Sequence, residues 1–377
     1  MKDHNDMTTP ALPTQPKIEE LESIRGLAAL LIVFVHIPKW NPILEIGIIS
    51  NGYLMVDLFF VLSGFVMFSV YSKKIKSKTD LFRFQFLRFG RLYPVHIVFL
   101  LIFLGIEISK YIAVAKLGTP DIRSVPFGEN SVTALMQQVF LLQAIGPTGN
   151  ILTFNFPAWS ISVEFYTYLL FGLTILLLGK IKNAVFGLLA LVAVLLLATK
   201  TTFGFEVLLR CIAGFFIGCL SAGFIDRARI NISTYMPLLF AFAIIAFLQI
   251  KTTNDFDVAI FFLTAGLILS LMLSGGGILK QILNNKILTW LGLISYSMYM
   301  SHALVLWITK NIFKRLLDMP ETQRADGKWV LSLPVPEAIA GTIFTVLLVL
   351  AVSQITYSFI EKPLREKSRR FAFSKLM

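Results

Sequence analysis

The sequence predicts an all-α, polytopic membrane protein with about ten transmembrane helices and both termini in the cytoplasm, and three observations carry that reading. Hydrophobic residues make up 56% of the 377 and charged residues only 15%, too apolar for a soluble chain, so the excess faces lipid. Apolar runs near the length of a bilayer core recur along the chain, separated by polar breaks. Lysine and arginine are divided unequally between alternate loops. The formal charge of +12 could serve a nucleic-acid partner, but a mean hydropathy of +0.75 assigns it to the inner loops of a membrane protein instead. No nucleic-acid partner is expected.

The elements follow in order. Residues 1–21 form a polar cytoplasmic tail containing Asp3, Asp6, Glu19 and Glu20, residues 22–361 the membrane domain, and residues 362–377 a basic cytoplasmic tail. The spans lie near 22–38, 53–71, 93–115, 158–178, 184–199, 206–225, 234–250, 257–274, 288–309 and 336–360. No small-residue cleavage site follows the first run, which therefore reads as a retained anchor. With the N-terminus inside, the inner segments hold 21 basic residues and the outer ones 11. The loop 72–92 fixes this orientation with Lys73, Lys74, Lys76, Lys78, Arg83, Arg88 and Arg91. Residues 116–157 make one long outer loop rich in proline; its apolar piece at 132–145 is too short to span and is expected as a re-entrant or surface helix. Cys211 and Cys219, eight residues apart in one span, sit roughly 12 Å apart along a helix, beyond disulfide reach. Paired-Cys, His-Glu-x-x-His and Gly-x-Ser-x-Gly motifs are missing, and Gly275-Gly-Gly277 lacks the Lys-Ser or Lys-Thr of a phosphate loop. No metal is expected.

Ionisable side chains inside spans are costly and by default suggest a site. Arg25 and His36 lie on the first span, eleven residues or roughly 16 Å apart, with the arginine near the inner face and the histidine in the outer half. Asp57 on the second span, Glu164 in Trp159-Ser160-Ile-Ser-Val-Glu164 on the fourth and His302 in Ser295-Tyr296-Ser-Met-Tyr299-Met-Ser-His302 on the ninth fall at similar depth. A network of buried structural pairs would also produce such a layer. On the inner side Arg88 and Arg91, at i and i+3 immediately before Pro94, which starts the third span, share one helix face and suit phosphate oxygens; Arg25 joins them, with Glu361-Lys-Pro-Leu-Arg365 at the far end. For Lys73 to Lys78 the inside-positive rule and anionic lipid suffice. His96 reads as structural, and Arg210 has a local partner in Glu206.

These motifs together resemble those of the membrane acyltransferase 3 family, integral O-acyltransferases of bacterial surface glycans and some small molecules. Five segments match in order: Arg25-Gly-Leu-Ala-Ala with His36; Val56-Asp57-Leu-Phe-Phe-Val-Leu-Ser-Gly-Phe65; Arg88-x-x-Arg91-Leu-Tyr-Pro94; Trp159 to Glu164; and Ser295 to His302. Glu361-Lys-Pro363 resembles the family's ending, and Met55 departs from it where a glycine is usual. The resemblance implies a bacterial inner-membrane enzyme that moves an acyl group, acetyl first among them, from acyl-CoA to a hydroxyl of a cell-surface or exported glycan such as lipopolysaccharide or exopolysaccharide. Arg25, Arg88 and Arg91 would hold the CoA phosphates, and His36 would act as general base or transient acyl carrier. Glu164 or Asp57 would orient His36, while Trp159, Ser160, Tyr296, Tyr299 and His302 line the acceptor side. Some relatives carry an extracytoplasmic esterase-like domain; here such a partner is expected as a separate protein. The rival reading is a transporter or flippase for a lipid-linked or phosphorylated solute.

Overall fold

The computed structural model describes residues 18–42, 45–117, 125–323 and 329–375. Helices dominate it. In chain order they are α1 (Glu19–His36), α2 (Gly47–Ser50), α3 (Met55–Tyr71), α4 (Lys78–Leu117), α5 (Val132–Val139), α6 (Trp159–Leu178) and α7 (Lys182–Ala198). They continue as α8 (Glu206–Ile225), α9 (Met236–Ile250), α10 (Ala259–Leu273), α11 (Ile278–Leu283), α12 (Lys286–Asn311), α13 (Val335–Thr356) and α14 (Lys362–Lys375). Each apolar run read from the sequence coincides with one of these helices. Among the described residues, six are long and apolar enough to cross a membrane by length and composition, and α7, α9 and α10 are shorter apolar helices.

Three local features depart from the sequence reading. Pro94 does not start a helix: α4 runs unbroken through it for 40 residues. A proline removes one backbone hydrogen bond, and neighbours hold both halves in line, with Tyr296 Oη donating to the Leu92 carbonyl at 2.5 Å and Tyr93 Oη to that of Val139 at 3.0 Å. The piece at 132–145 is helical only as far as Val139; beyond it the chain is irregular and partly buried, with the side-chain amides of Gln138, Gln143 and Asn155 bonded to carbonyls of Thr153, Ala158 and Met300. Between α12 and α13 a small antiparallel hairpin pairs β1 (Glu321–Gln323) with β2 (Trp329–Leu331), an exception to the all-α class. Leu333 N donates to the Trp40 carbonyl and ties the hairpin to the segment after α1.

Two apolar cores meet along a seam. One is built from α3, α4, α6, α7, α8, α9 and α10, the other from α13 and the far faces of α1 and α12, which also contribute to the first, and Phe59 packs against both. Each core has a glycine-lined helix crossing, the packing by which helices approach closely in lipid. Gly26 on α1 faces the backbone of Leu291 and Gly292 on α12, and Gly292 faces the Glu22 carbonyl, so a Cβ at either would collide. Likewise Gly64 on α3 faces the Phe215 carbonyl of α8, and Gly218 the carbonyl of Val61. These contacts set the register of both helix pairs. Cys211 and Cys219 are buried and free.

Candidate functional site

The α1–α12 register brings two histidines together. Ten residues beyond the Gly26–Gly292 contact on each helix, the His36 and His302 rings stand 5.0 Å apart between centroids, tilted by 38°. Phe156, in the turn that leads into α6, packs on both at 5.0 and 5.6 Å, and the Tyr299 ring stands 5.8 Å from His302. His36 Nδ1 lies 2.9 Å from the carbonyl oxygen of Ile32, one turn back. A carbonyl only accepts, so in the neutral ring the proton sits on Nδ1 and the lone pair on Nε2. His302 is fully buried, its nitrogens toward the carbonyls of Met298 and Tyr299 without a well-formed hydrogen bond to either.

Asp57 and Glu164, expected to orient His36, have other partners. Asp57 is bound by Arg210 of α8, with Nε and Nη2 donating to its two carboxylate oxygens at 3.0 and 2.8 Å. Glu206 lies in the same electrostatic neighbourhood, but both side-chain bonds of Arg210 go to Asp57, a partner across the bundle and not the one on its own helix. The arginine also lies over the rings of Trp159 at 5.5 Å and Tyr53 at 5.9 Å. Glu164, one turn further along α6 than Ser160, accepts from Tyr168 Oη at 2.6 Å. The Ile32 carbonyl holds the His36 ring in their place.

Ser160, Glu164 and Tyr168 are spaced by four on α6 and form a stripe roughly 12 Å long. Tyr296, Tyr299 and His302, spaced by three on α12, make a second one roughly 9 Å long. The two stripes meet where the Tyr299 hydroxyl reaches that of Ser160, and Ser63 Oγ donates to Tyr168 Oη at 2.7 Å. A polar column therefore leads from the histidines to the arginines.

At its inner end Arg91 lies in the field of Glu361 and Glu22, then of Tyr168 and Glu164. Glu22 also pairs with Arg25 at 2.9 Å, so these two arginines share a carboxylate. Glu361 accepts from Ser297 Oγ at 2.7 Å and pairs with Arg365 at 3.4 Å. Arg88 stacks over Tyr71 and Phe84, donates from Nη2 to Tyr71 Oη at 3.2 Å, and has a buried Nε with no hydrogen bond. Arg88, with its unbonded Nε, lies one turn from Arg91 on α4, and guanidinium N–H groups of this kind fit phosphate oxygens. His96 is buried, with Nε2 2.8 Å from the Gln138 carbonyl oxygen.

Sequence reasoning missed Arg210, Tyr168 and Phe156. Tyr168 had a signal, since it continues the four-residue spacing of Ser160 and Glu164. Arg210 had none beyond its place inside a span, because the α3–α8 register that brings it to Asp57 is set by glycines far from either.

Helices of membrane-crossing length around a buried polar column mark a multi-pass membrane protein. The chain belongs to the acyltransferase 3 family, whose acyltransferase domain matches residues 18–354. It is 35% identical over 151 residues to protein 2 of the picA locus of Rhizobium radiobacter, a match covering 38% of this chain and 75% of that one. It is 30% identical over 177 residues to the acyltransferase MdmB of Streptomyces mycarofaciens, covering 44% of this chain and 42% of that protein. No solved structure is significantly similar to it.

Proposed function

We propose that this acyltransferase moves an acyl group, acetyl first among the candidates, from cytoplasmic acyl-CoA to a hydroxyl of a cell-surface or exported glycan. The protein sits in the bacterial inner membrane and crosses it ten times with both termini inside, the arrangement that the positive-inside count favours. The observation that carries the reading is His36: its Nδ1 proton is committed to Ile32, which leaves Nε2 with the lone pair a general base needs, beside a second histidine without hydrogen bonds.

Arg25, Arg88 and Arg91 hold the CoA phosphates at the inner end of the column, and the pantetheine arm follows the column toward the histidines. The acceptor oxygen attacks the thioester carbonyl as its proton passes to His36 Nε2. The C–S bond then breaks, the new ester forms, and the imidazolium returns the proton to the departing sulfur, releasing CoA as a thiol. Tyr299, Ser160 and His302 lie where the oxyanion of the tetrahedral intermediate develops. Trp159 shapes the acceptor side, Tyr296, bonded to the Leu92 carbonyl beside Arg91, lines the inner end of the column and not the acceptor side, Glu164 keeps the Tyr168 hydroxyl in the column, and Asp57 acts through Arg210 and not on His36. Membrane lipids and an acceptor glycan, free or lipid-linked, are the partners, together with a separate extracytoplasmic protein where further transfer is needed.

Mass spectrometry of surface glycans tests the reading in cells with the intact gene, a deletion, or His36→Ala. An acyl mass increment present only with the intact gene is expected. Unchanged acylation together with less glycan outside the cell would replace this reading with a carrier.

A further inference from the structure

Arg210 has a free edge. Its Nε and Nη2 are locked on Asp57, which is 1% exposed, while the arginine side chain is 16% exposed and Nη1 makes no hydrogen bond to any described residue. The guanidinium carbon lies over the rings of both Tyr53 and Trp159, and Trp159 precedes Ser160, whose hydroxyl meets that of Tyr299 beside His302. Around it the charges nearly cancel. Asp57, Glu206 and Asp257 face Arg210, and Lys251 pairs with Asp257 at 2.8 Å while donating to Tyr53 Oη at 2.8 Å. Three carboxylates against two cations leave no positive field to draw in a phosphate or a carboxylate. What remains is an accessible pair of N–H donors flanked by aromatic rings, a setting suited to uncharged hydroxyl oxygens on an apolar-faced ring.

We infer that the free edge of Arg210, beside the rings of Tyr53 and Trp159, is a binding subsite for a neutral sugar ring, with Arg210 Nη1 donating to a hydroxyl oxygen. The inference rests on the acyltransferase reading for its role, as the subsite that presents the acceptor to the histidines, and it narrows the acceptor to one whose reacting end carries no charge. Asp57 serves as the positioning residue: by holding one edge of the guanidinium it turns the other outward and cancels the charge that would otherwise select an anion.

The test uses full-length protein in phosphatidylcholine nanodiscs, labelled with 5-fluorotryptophan, with the Trp159 resonance assigned through Trp159→Phe. Methyl glucoside and methyl glucuronide, alike except for the carboxylate, are titrated while the fluorine spectrum is recorded. The glucoside is expected to shift the Trp159 resonance saturably and at lower concentration than the glucuronide. In Arg210→Lys, which keeps the charge but loses the planar fork, the midpoint for glucoside is expected to rise about tenfold, the equivalent of roughly 1.4 kcal/mol. The other tryptophan resonances report that the fold is intact. A Trp159 resonance that glucoside leaves unmoved, an equal response in Arg210→Lys, or tighter binding of glucuronide overturns the inference. CoA release from acetyl-CoA is followed in the same samples. Absence of release would count against the acyltransferase reading while leaving the sugar titration to be judged by itself, and His36→Ala should lose release but keep the shift.

Discussion

The two glycine-packed helix pairs bring together ionisable groups in opposite ways. On α3 and α8 the register joins Asp57 to Arg210, a buried carboxylate whose two oxygens each receive an N–H. On α1 and α12 it joins His36 to His302, two imidazoles that do not bond each other and that keep ring nitrogens free. Both pairs stand inside the bundle, where an unmet polar atom is costly. The carboxylate of the first is fully engaged by its arginine, whereas the unbonded ring nitrogens of the second are the ones the proposed reaction uses.

The contrast is open to attack, beginning with the largest effect. His36→Ala should lower acyl transfer by about 10²- to 10⁴-fold, as expected for removal of a general base, with insertion and thermal stability unchanged. Arg210→Gln strands the Asp57 charge and should destabilise the protein by about 3–5 kcal/mol, read from its thermal unfolding in nanodiscs, and Asp57→Asn in the same chain should restore much of the loss. Gly292→Val drives a side chain into the α1 backbone at Glu22 and should weaken the histidine pair's support by about 3 kcal/mol, with activity falling in proportion to the folded fraction. Arg88→Ala should raise the KM for acyl-CoA about tenfold, measured by CoA release at saturating acceptor, while kcat changes little.

Much of this arrangement was legible in the sequence because it is local or periodic. Apolar runs gave the helices, since a bilayer demands that every backbone group be satisfied within the segment. Polar residues in spans gave His36, His302, Asp57 and Glu164, because their cost in lipid makes each of them conspicuous. Partnership was not legible. Asp57 and Glu164 seemed equally placed to orient His36, yet one belongs to Arg210 and the other to Tyr168, and a backbone carbonyl takes the task. Those outcomes depend on the rotation and register of whole helices, fixed by Gly26, Gly64, Gly218 and Gly292 at crossings remote from the ionisable groups. Pro94 misled for a related reason: tertiary support from Tyr296 and from the chain after α5 outweighs the lost hydrogen bond.

The most direct measurement compares both pairs in one assay. Purified wild type, His36→Ala and Asp57→Asn are reconstituted in proteoliposomes containing membrane glycolipid, supplied with acetyl-labelled acetyl-CoA, and followed for CoA release and for label in the glycan, each normalised to folded protein. Loss of both signals in His36→Ala, with Asp57→Asn within about tenfold of wild type, is the expected result. The reverse, an active His36→Ala beside an inactive but folded Asp57→Asn, would contradict the assignment of chemistry to the histidines and of a positioning role to the ion pair.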